Sequence, residues 1–219
     1  MKPSDYSFEN FVATTYNRFA CLAAEKVCEA PGVYNPLYIF GPSGVGKTYL
    51  LRAVEKEYQN KKKTALYISV NRFCEELVKA IRNGTNIEFR EKYNQVDVLL
   101  VDRFEYFAGK EATQEEFFNI VQNRYQNSKQ TVIVGTAYPS ELPGVYPALS
   151  SFLCNGLCVK IPTPNFEEVA QIIYKKLHEH GRNWPMDACR YIAINISRGC
   201  VAGEINQILA FSELFPNTP

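Results

Sequence analysis

The stretch Gly41-Pro42-Ser43-Gly44-Val45-Gly46-Lys47-Thr48 fits the pattern G-x-x-x-x-G-K-[ST], and it restricts the fold of this chain more than any other feature. The apolar run Leu37-Tyr38-Ile39-Phe40 leads into it as a buried strand, and a helical pattern of Leu50, Leu51, Val54 and Tyr58 leaves it. A strand, a glycine-rich loop and a helix in that order form a phosphate-binding loop. The glycines permit backbone conformations and approaches that side chains block, so successive N–H groups and a helix N-terminus converge on a phosphate. Lys47 then reaches the outer phosphate oxygens and Thr48 is placed to ligate Mg²⁺. A glycine-rich turn that binds nothing is the alternative, and the agreement of all four fixed positions and both flanks weighs against it.

A chain of 219 residues with 46% apolar content is long enough for a substantial core. Lys and Arg number 24 against 23 Asp and Glu, so no global charge draws it to nucleic acid or membrane, and any DNA contact has to come from a local patch. The seven cysteines lack the spacing of a disulfide framework, which points to a reducing cytoplasm. No apolar run approaches the roughly 18 residues that a membrane span needs. Cys154 and Cys158 are spaced as metal ligands can be, but with only His178 and His180 to complete a site, small buried thiols are the better reading.

Helical periodicity predicts a helix over about 17–29, stopped by Pro31-Gly32, and, after strand one and the loop, an exposed turn at the polar tract 59–63. Strand two is expected at 65–69 and a helix at 71–82, with Phe73, Leu77, Val78 and Ile81 at helical spacing and Asn83-Gly84 as its end. A short charged helix follows at 87–93. Val96-Asp97-Val98-Leu99-Leu100-Val101-Asp102 is nearly continuous in apolar character, as a strand covered on both faces must be. Its terminal Asp102 is either the acid that holds Mg²⁺ through water or a strand-end cap. A helix over 114–125 precedes a fourth strand at 131–136, whose closing Thr136 either reads a γ-phosphate or bonds to backbone. A fifth strand at 157–161 and the breaker Pro162-Thr163-Pro164 lead to three helical patterns at about 165–180, 186–197 and 202–214. Strands alternating with helices, then helices alone, predict an α/β domain over 1–162 and a small α-helical lid over 163–219.

Several longer motifs now bear on identity: Tyr6-x-Phe8-x-Asn10-Phe11-Val12, Asn17-Arg18-Phe19-Ala20, Tyr34-Asn35-Pro36-Leu37, Phe89-Arg90-Glu91-Lys92-Tyr93, Val96-Asp97-Val98-Leu99-Leu100, and Ala108-Gly109-Lys110-Glu111-x-x-Gln114-Glu115-Glu116-Phe117-Phe118. With the phosphate loop, they make the chain resemble, over almost its whole length, the AAA+ ATPase domain of the bacterial DnaA replication initiators. The resemblance implies a phosphate-loop AAA+ fold with a five-stranded parallel sheet, ATP or ADP with Mg²⁺ as cofactors, and DnaA or other replication proteins as partners. It places Phe11, Val12 and Asn17 against adenine, and Gly41, Ser43, Gly44, Val45, Gly46, Lys47, Thr48 and Tyr49 around the phosphates. Thr48 and Asp102 hold Mg²⁺, and Thr136 senses the γ-phosphate. Residues 71–93 become the initiator-specific insertion, with Val78 and Lys110 on a path for single-stranded DNA whose third position is Ala112. Neither a partner-binding domain before residue 5 nor a duplex-specific DNA-binding domain after residue 214 is expected.

Departures from the family fall on the catalytic parts. Where the family has a second acid after Asp102 this chain has Arg103, and Glu105 substitutes only if the backbone turns. The arginine-finger segment of the family, similar to R-L-x-S-R-F, is here Ala148-Leu149-Ser150-Ser151-Phe152-Leu153, without either arginine. The lid arginine of the second sensor aligns with Ala202, four residues from Arg198. The expected function is therefore a cytoplasmic ATP/ADP-binding module of replication initiation or its control, with degenerate hydrolysis. It would accept a finger from a neighbouring DnaA and offer none, capping an assembly. The alternatives are a regulator resembling Hda, which needs a clamp-binding peptide not seen in 1–7, and an active ATPase of the helicase-loader type. A kinase outside the AAA+ class would need an acceptor pocket, and the sequence offers no candidate for one.

Overall fold

Side chains alternate across a strand, and β1 (Leu37–Phe40) uses both sides: Leu37 and Ile39 enter one apolar cluster and Tyr38 the other. The computed structural model describes residues 6–196, 203, 205 and 207–210. In it β1 lies inside a five-stranded, all-parallel sheet with β2 (Ala65–Ser69), β3 (Val98–Asp102), β4 (Gln130–Gly135) and β5 (Leu157–Lys160), in the order β2-β3-β4-β1-β5. Every residue of β3 and β4 is buried, which is why their sequences are nearly continuous in apolar residues, whereas β2 and β5 are partly open edges.

Helices cover both faces. One side carries α1 (Arg18–Glu29) and α2 (Lys47–Asn60), which pack Ala24, Val27, Leu50, Leu51 and Val54 against Leu37, Ile39, Leu100, Val132 and Val134. The other carries α3 (Val70–Asn83), α4 (Asn86–Gln95), α5 (Glu111–Gln126) and α6 (Pro147–Cys154) around an aromatic group of Phe73, Phe89, Tyr93, Phe104, Phe107 and Phe117. Beyond the sheet, α7 (Phe166–Glu179) begins with a capping box between Asn165 and Glu168. It packs on α8 (Met186–Asn195), and Val169, Ile173, Leu177, Cys189, Ala193 and Ile205 form a third apolar cluster that Val12 joins. No helix among the described residues is long and apolar enough to cross a membrane.

Four local outcomes differ from the sequence expectation. Strand β3 begins at Val98: the Asp97 N–H donates to Thr64 Oγ1 at 2.9 Å instead of to a strand carbonyl, and its carboxylate accepts from the Thr64 N–H and hydroxyl at 2.8 Å each. The helix α6 was not anticipated; it is only eight residues long, too short for periodicity to speak, and starts on a proline whose φ suits a first turn. Val78 and Ile81 do not share the buried face of α3: they are 46% and 61% exposed, while Val70, Phe73, Leu77 and Ala80 face inward. Core packing is thereby excluded as the role of Val78. Thr136 is one residue past the end of β4 rather than its last member.

Candidate functional site

The loop 41–48 lies at the C-terminal edge of the sheet, where the ends of β1, β3 and β4 meet α2. Two of its glycines are required on steric grounds. Gly41 has φ +152° and a Cβ there would stand 2.0 Å from Ile161 O, because the chain after β5 hugs β1 with Ile161 N–H donating to Phe40 O at 2.7 Å. Gly46 has φ +100°, in the left-handed region, and a Cβ would meet the Phe11 ring at 3.1 Å. Gly46 is also the residue at which α2 begins, and no side chain caps that end. Its first-turn N–H groups are thus available to an anion. Lys47 is folded back, its ammonium donating to Gly41 O at 2.5 Å and Pro42 O at 2.6 Å. Burial pushes its pKa below the ordinary lysine value, and the charges of Glu105 and then Asp102 work the other way.

Asp102, at the end of β3, is nearly buried and accepts two hydrogen bonds on one oxygen. Thr48 Oγ1 donates to Oδ2 at 2.9 Å and the Tyr67 hydroxyl donates to the same atom at 2.5 Å. The Thr48–Asp102 contact joins the N-terminus of α2 to β3, so the carboxylate does more than cap its own strand. Tyr67 comes from β2, in the strand paired with β3, and the Arg52 guanidinium sits 3.3 Å over its ring. Tyr67 and Arg52 were missed by the sequence reading; the one signal for Tyr67 was its inward place in a strand ending beside Asp102. A hydroxyl and a carboxylate 2.9 Å apart suit Mg²⁺, which takes one or two protein oxygens and fills its octahedron with water and phosphate. Among the described residues no group of three or more His, Cys, Asp or Glu forms a metal cluster.

Tyr38 governs the end of β4. Its ring passes under Gly135, where a Cβ would lie 2.1 Å from the hydroxyl, and that hydroxyl donates to Ala137 O at 3.0 Å. Thr136 is held between those two points, half-buried at the edge beside the loop. Next to it the chain after Asp102 does turn: Arg103 adopts φ +63° and ψ +51°, and its side chain is exposed. A single 3-10 turn over Phe104–Phe107 follows, which carries Glu105 back towards Lys47.

The three residues expected against adenine divide their work. Phe11 is buried on the α2 side and packs against Tyr49, with ring centroids 5.3 Å apart; Val12 is buried among α7 and α8. Asn17 is tied to the backbone: its Oδ1 accepts from Thr14 N–H at 2.8 Å and its Nδ2 donates to Val12 O at 3.0 Å. Asn17 therefore shapes the turn that presents Phe11 and Val12. Ser43 is exposed at the tip of the loop and Val45 is buried beneath it.

Away from this edge, Phe152 on α6 is half-buried, edge-on to Phe118 at 5.8 Å and to Tyr125 at 5.7 Å, and Ala148 lies one turn before it. Lys110 Nζ lies 3.7 Å from Cys74 Sγ, and Cys74 is one turn before the exposed Val78, so Val78 and Lys110 share a surface. Ala112 is exposed. Ala202 and Arg198 lie outside the described residues, as does the stretch 1–5.

The family model described as the bacterial DnaA ATPase domain matches residues 3–160. The structure of DnaA from Aquifex aeolicus bound to AMPPCP is 33% identical, with a TM-score of 0.91 over 97% of this chain and 66% of that one. Domain III of the replication initiation protein DnaA from Thermotoga maritima is 34% identical, with a TM-score of 0.89 over 98% of this chain and 92% of that one. A replication initiator DnaA bound to AMPPCP and single-stranded DNA is 33% identical, with a TM-score of 0.87 over 93% of this chain and 64% of that one. The chain thus spans about two thirds of the length of the longer relatives.

Proposed function

The chain belongs to the family of bacterial DnaA ATPase domains, and we propose from this that it is an ATP- and ADP-binding module acting in, or regulating, the initiation of chromosomal replication. In this reading Gly41, Gly44, Gly46 and Lys47 hold the phosphates, Thr48 and Asp102 hold Mg²⁺, and Thr136 lies by the γ-phosphate. The observation that carries it is the hydrogen bond from Thr48 to Asp102, which brings loop and acid together at the sheet edge. In this reading residues 1–162 are the nucleotide-binding part and 163–219 the lid, and the cluster of α7 and α8 meets the adenine side through Val12.

Bound Mg²⁺ would screen phosphate charge; the remaining work belongs to the chain. Lys47 already has its ammonium among loop carbonyls and needs only a rotation of its side chain to exchange them for phosphate oxygens. Such charge-assisted bonds in a partly desolvated cradle are stronger than neutral ones. Hydrolysis by the isolated chain is slow, because α6 presents Ala148 and Phe152 where an arginine would be offered to a neighbour, and a finger is worth roughly three to five decades in rate. Val78 and Lys110 form a weak contact for single-stranded DNA.

Titration with a fluorescent ATP analogue tests the proposal. The parent chain should bind tightly and Lys47→Ala should not bind measurably. Equal affinity in the two would remove the phosphate loop from the function, and turnover of order one per second by the isolated chain would remove the claim of slow hydrolysis.

A further inference from the structure

The acid that is missing after Asp102 has a replacement three residues along the chain. We propose that Glu105 is the catalytic base of this site, taking a proton from the water that attacks the γ-phosphorus of ATP. The assignment rests on the nucleotide-binding reading above and adds to it a chemical role.

Three observations carry it. First, the backbone turns sharply: a non-glycine residue in the left-handed region is disfavoured by about 1–2 kcal/mol, and Arg103 occupies it directly after Asp102, with its own side chain turned out to solvent. Second, the turn that carries Glu105 is rigid. Phe104 and Phe107 are completely buried; Phe104 packs edge-on to Tyr38 at 5.5 Å and Phe107 against Phe117 at 4.7 Å, so the residues between them have little freedom. Tyr106 points outward and is 44% exposed, whereas Glu105 is half-buried on the side of Lys47 and Tyr38, both of which feel its charge. Third, Glu105 Oε2 is buried and accepts from no donor among the described residues. Buried polar atoms are almost always paired, and an exception in a cleft that holds a reactant is an acceptor kept for that reactant. An ordinary structural glutamate would have taken a backbone N–H or the Lys47 ammonium.

The step balances with water as the sole co-reactant. The water oxygen forms a bond to the γ-phosphorus while its proton passes to the Glu105 carboxylate; the bond from that phosphorus to the β–γ bridging oxygen breaks, and ADP leaves with the electron pair. The proton then returns from the carboxylic acid to bulk water or phosphate. With the base present in this chain, what slows hydrolysis is the lack of the arginines whose positions hold Ala148, Phe152 and Ala202.

The test compares the parent with Glu105→Gln and Glu105→Ala in two measurements: affinity for MgADP with and without aluminium fluoride, and single-turnover hydrolysis with protein in excess over ATP. Aluminium fluoride with ADP mimics the transferring phosphoryl group and its attacking water. The parent should bind the aluminium fluoride complex at least tenfold more tightly than ADP alone. Both variants should keep ADP affinity within about threefold, lose that preference, and hydrolyse ATP at least a hundredfold more slowly. The proposal is overturned if the parent shows no preference, if the variants retain it and the parent rate, or if they lose ADP affinity in proportion, which marks a structural carboxylate. Failure of the parent to bind any nucleotide would overturn the nucleotide-binding reading itself, and the Glu105 assignment with it.

Discussion

The Tyr67 hydroxyl donates to Asp102 Oδ2 at 2.5 Å, the same oxygen that accepts from Thr48 Oγ1 at 2.9 Å. A phenol from the neighbouring strand therefore fixes the rotamer of the acid expected to face Mg²⁺, and Arg52 clamps the phenol from above. Tyr67→Phe keeps the ring and its stacking but frees the carboxylate. A hydrogen bond to a charged group contributes about 1.5–3 kcal/mol, so Mg²⁺-dependent nucleotide affinity should fall about tenfold. Binding measured in EDTA should not change. Calorimetric titrations across Mg²⁺ concentrations read the difference; an unchanged Mg²⁺ dependence would reduce Tyr67 to a packing residue.

Arg124 on α5 is a buried cation that has no carboxylate partner among the described residues. Its guanidinium donates to Tyr93 O, Val96 O, Gln130 O and Thr131 Oγ1, tying the end of α4 to the start of β4, and burial lowers its pKa to about 10. Arg124→Met preserves volume but strips three carbonyls of their donor. At about 1 kcal/mol or more for each acceptor left buried, the loss should be roughly 3 kcal/mol, visible as a lower urea midpoint. A loss below about 1 kcal/mol would mean that the carbonyls find other donors.

The exposed Val78, on a surface shared with Cys74 and Lys110, gives a single DNA strand an apolar side chain and a cation to meet. Lys110→Ala should weaken binding of a single-stranded oligonucleotide and lower the slope of log affinity against log salt by about 0.7. Fluorescence anisotropy at several salt concentrations measures both. Sub-micromolar binding to duplex DNA, or an unaltered slope, would speak against this surface.

Phe152 is anchored by Phe118 and Tyr125 on the face where the family offers a finger. Phe152→Arg gives up two edge-on aromatic contacts, roughly 1 kcal/mol each at the surface. In return it places a cation at the end of α6, and ATP-dependent self-association should appear in light scattering. If the parent chain already assembles with ATP by itself, capping is the wrong description of its part in an assembly.

The phosphate loop, the five strands and the alternation with helices were legible in the sequence because each rests on local rules: glycines at fixed spacing, apolar runs of strand length, and breakers between them. Lys47, Thr48 and Asp102 could be named for the same reason. What lay beyond local rules was every relation between strand ends. The order β2-β3-β4-β1-β5 puts Tyr67 within reach of Asp102 and Tyr38 under Gly135, and neither contact has a spacing in the chain to betray it. Val78 shared a helical period with Phe73 and Leu77, yet which arc of α3 is covered depends on the elements packed against it. Position 103 looked from its side chain alone like a lost acid. Only the left-handed turn at Arg103, held by two phenylalanines buried in a core assembled from distant segments, set the course of the chain from Asp102 to Glu105.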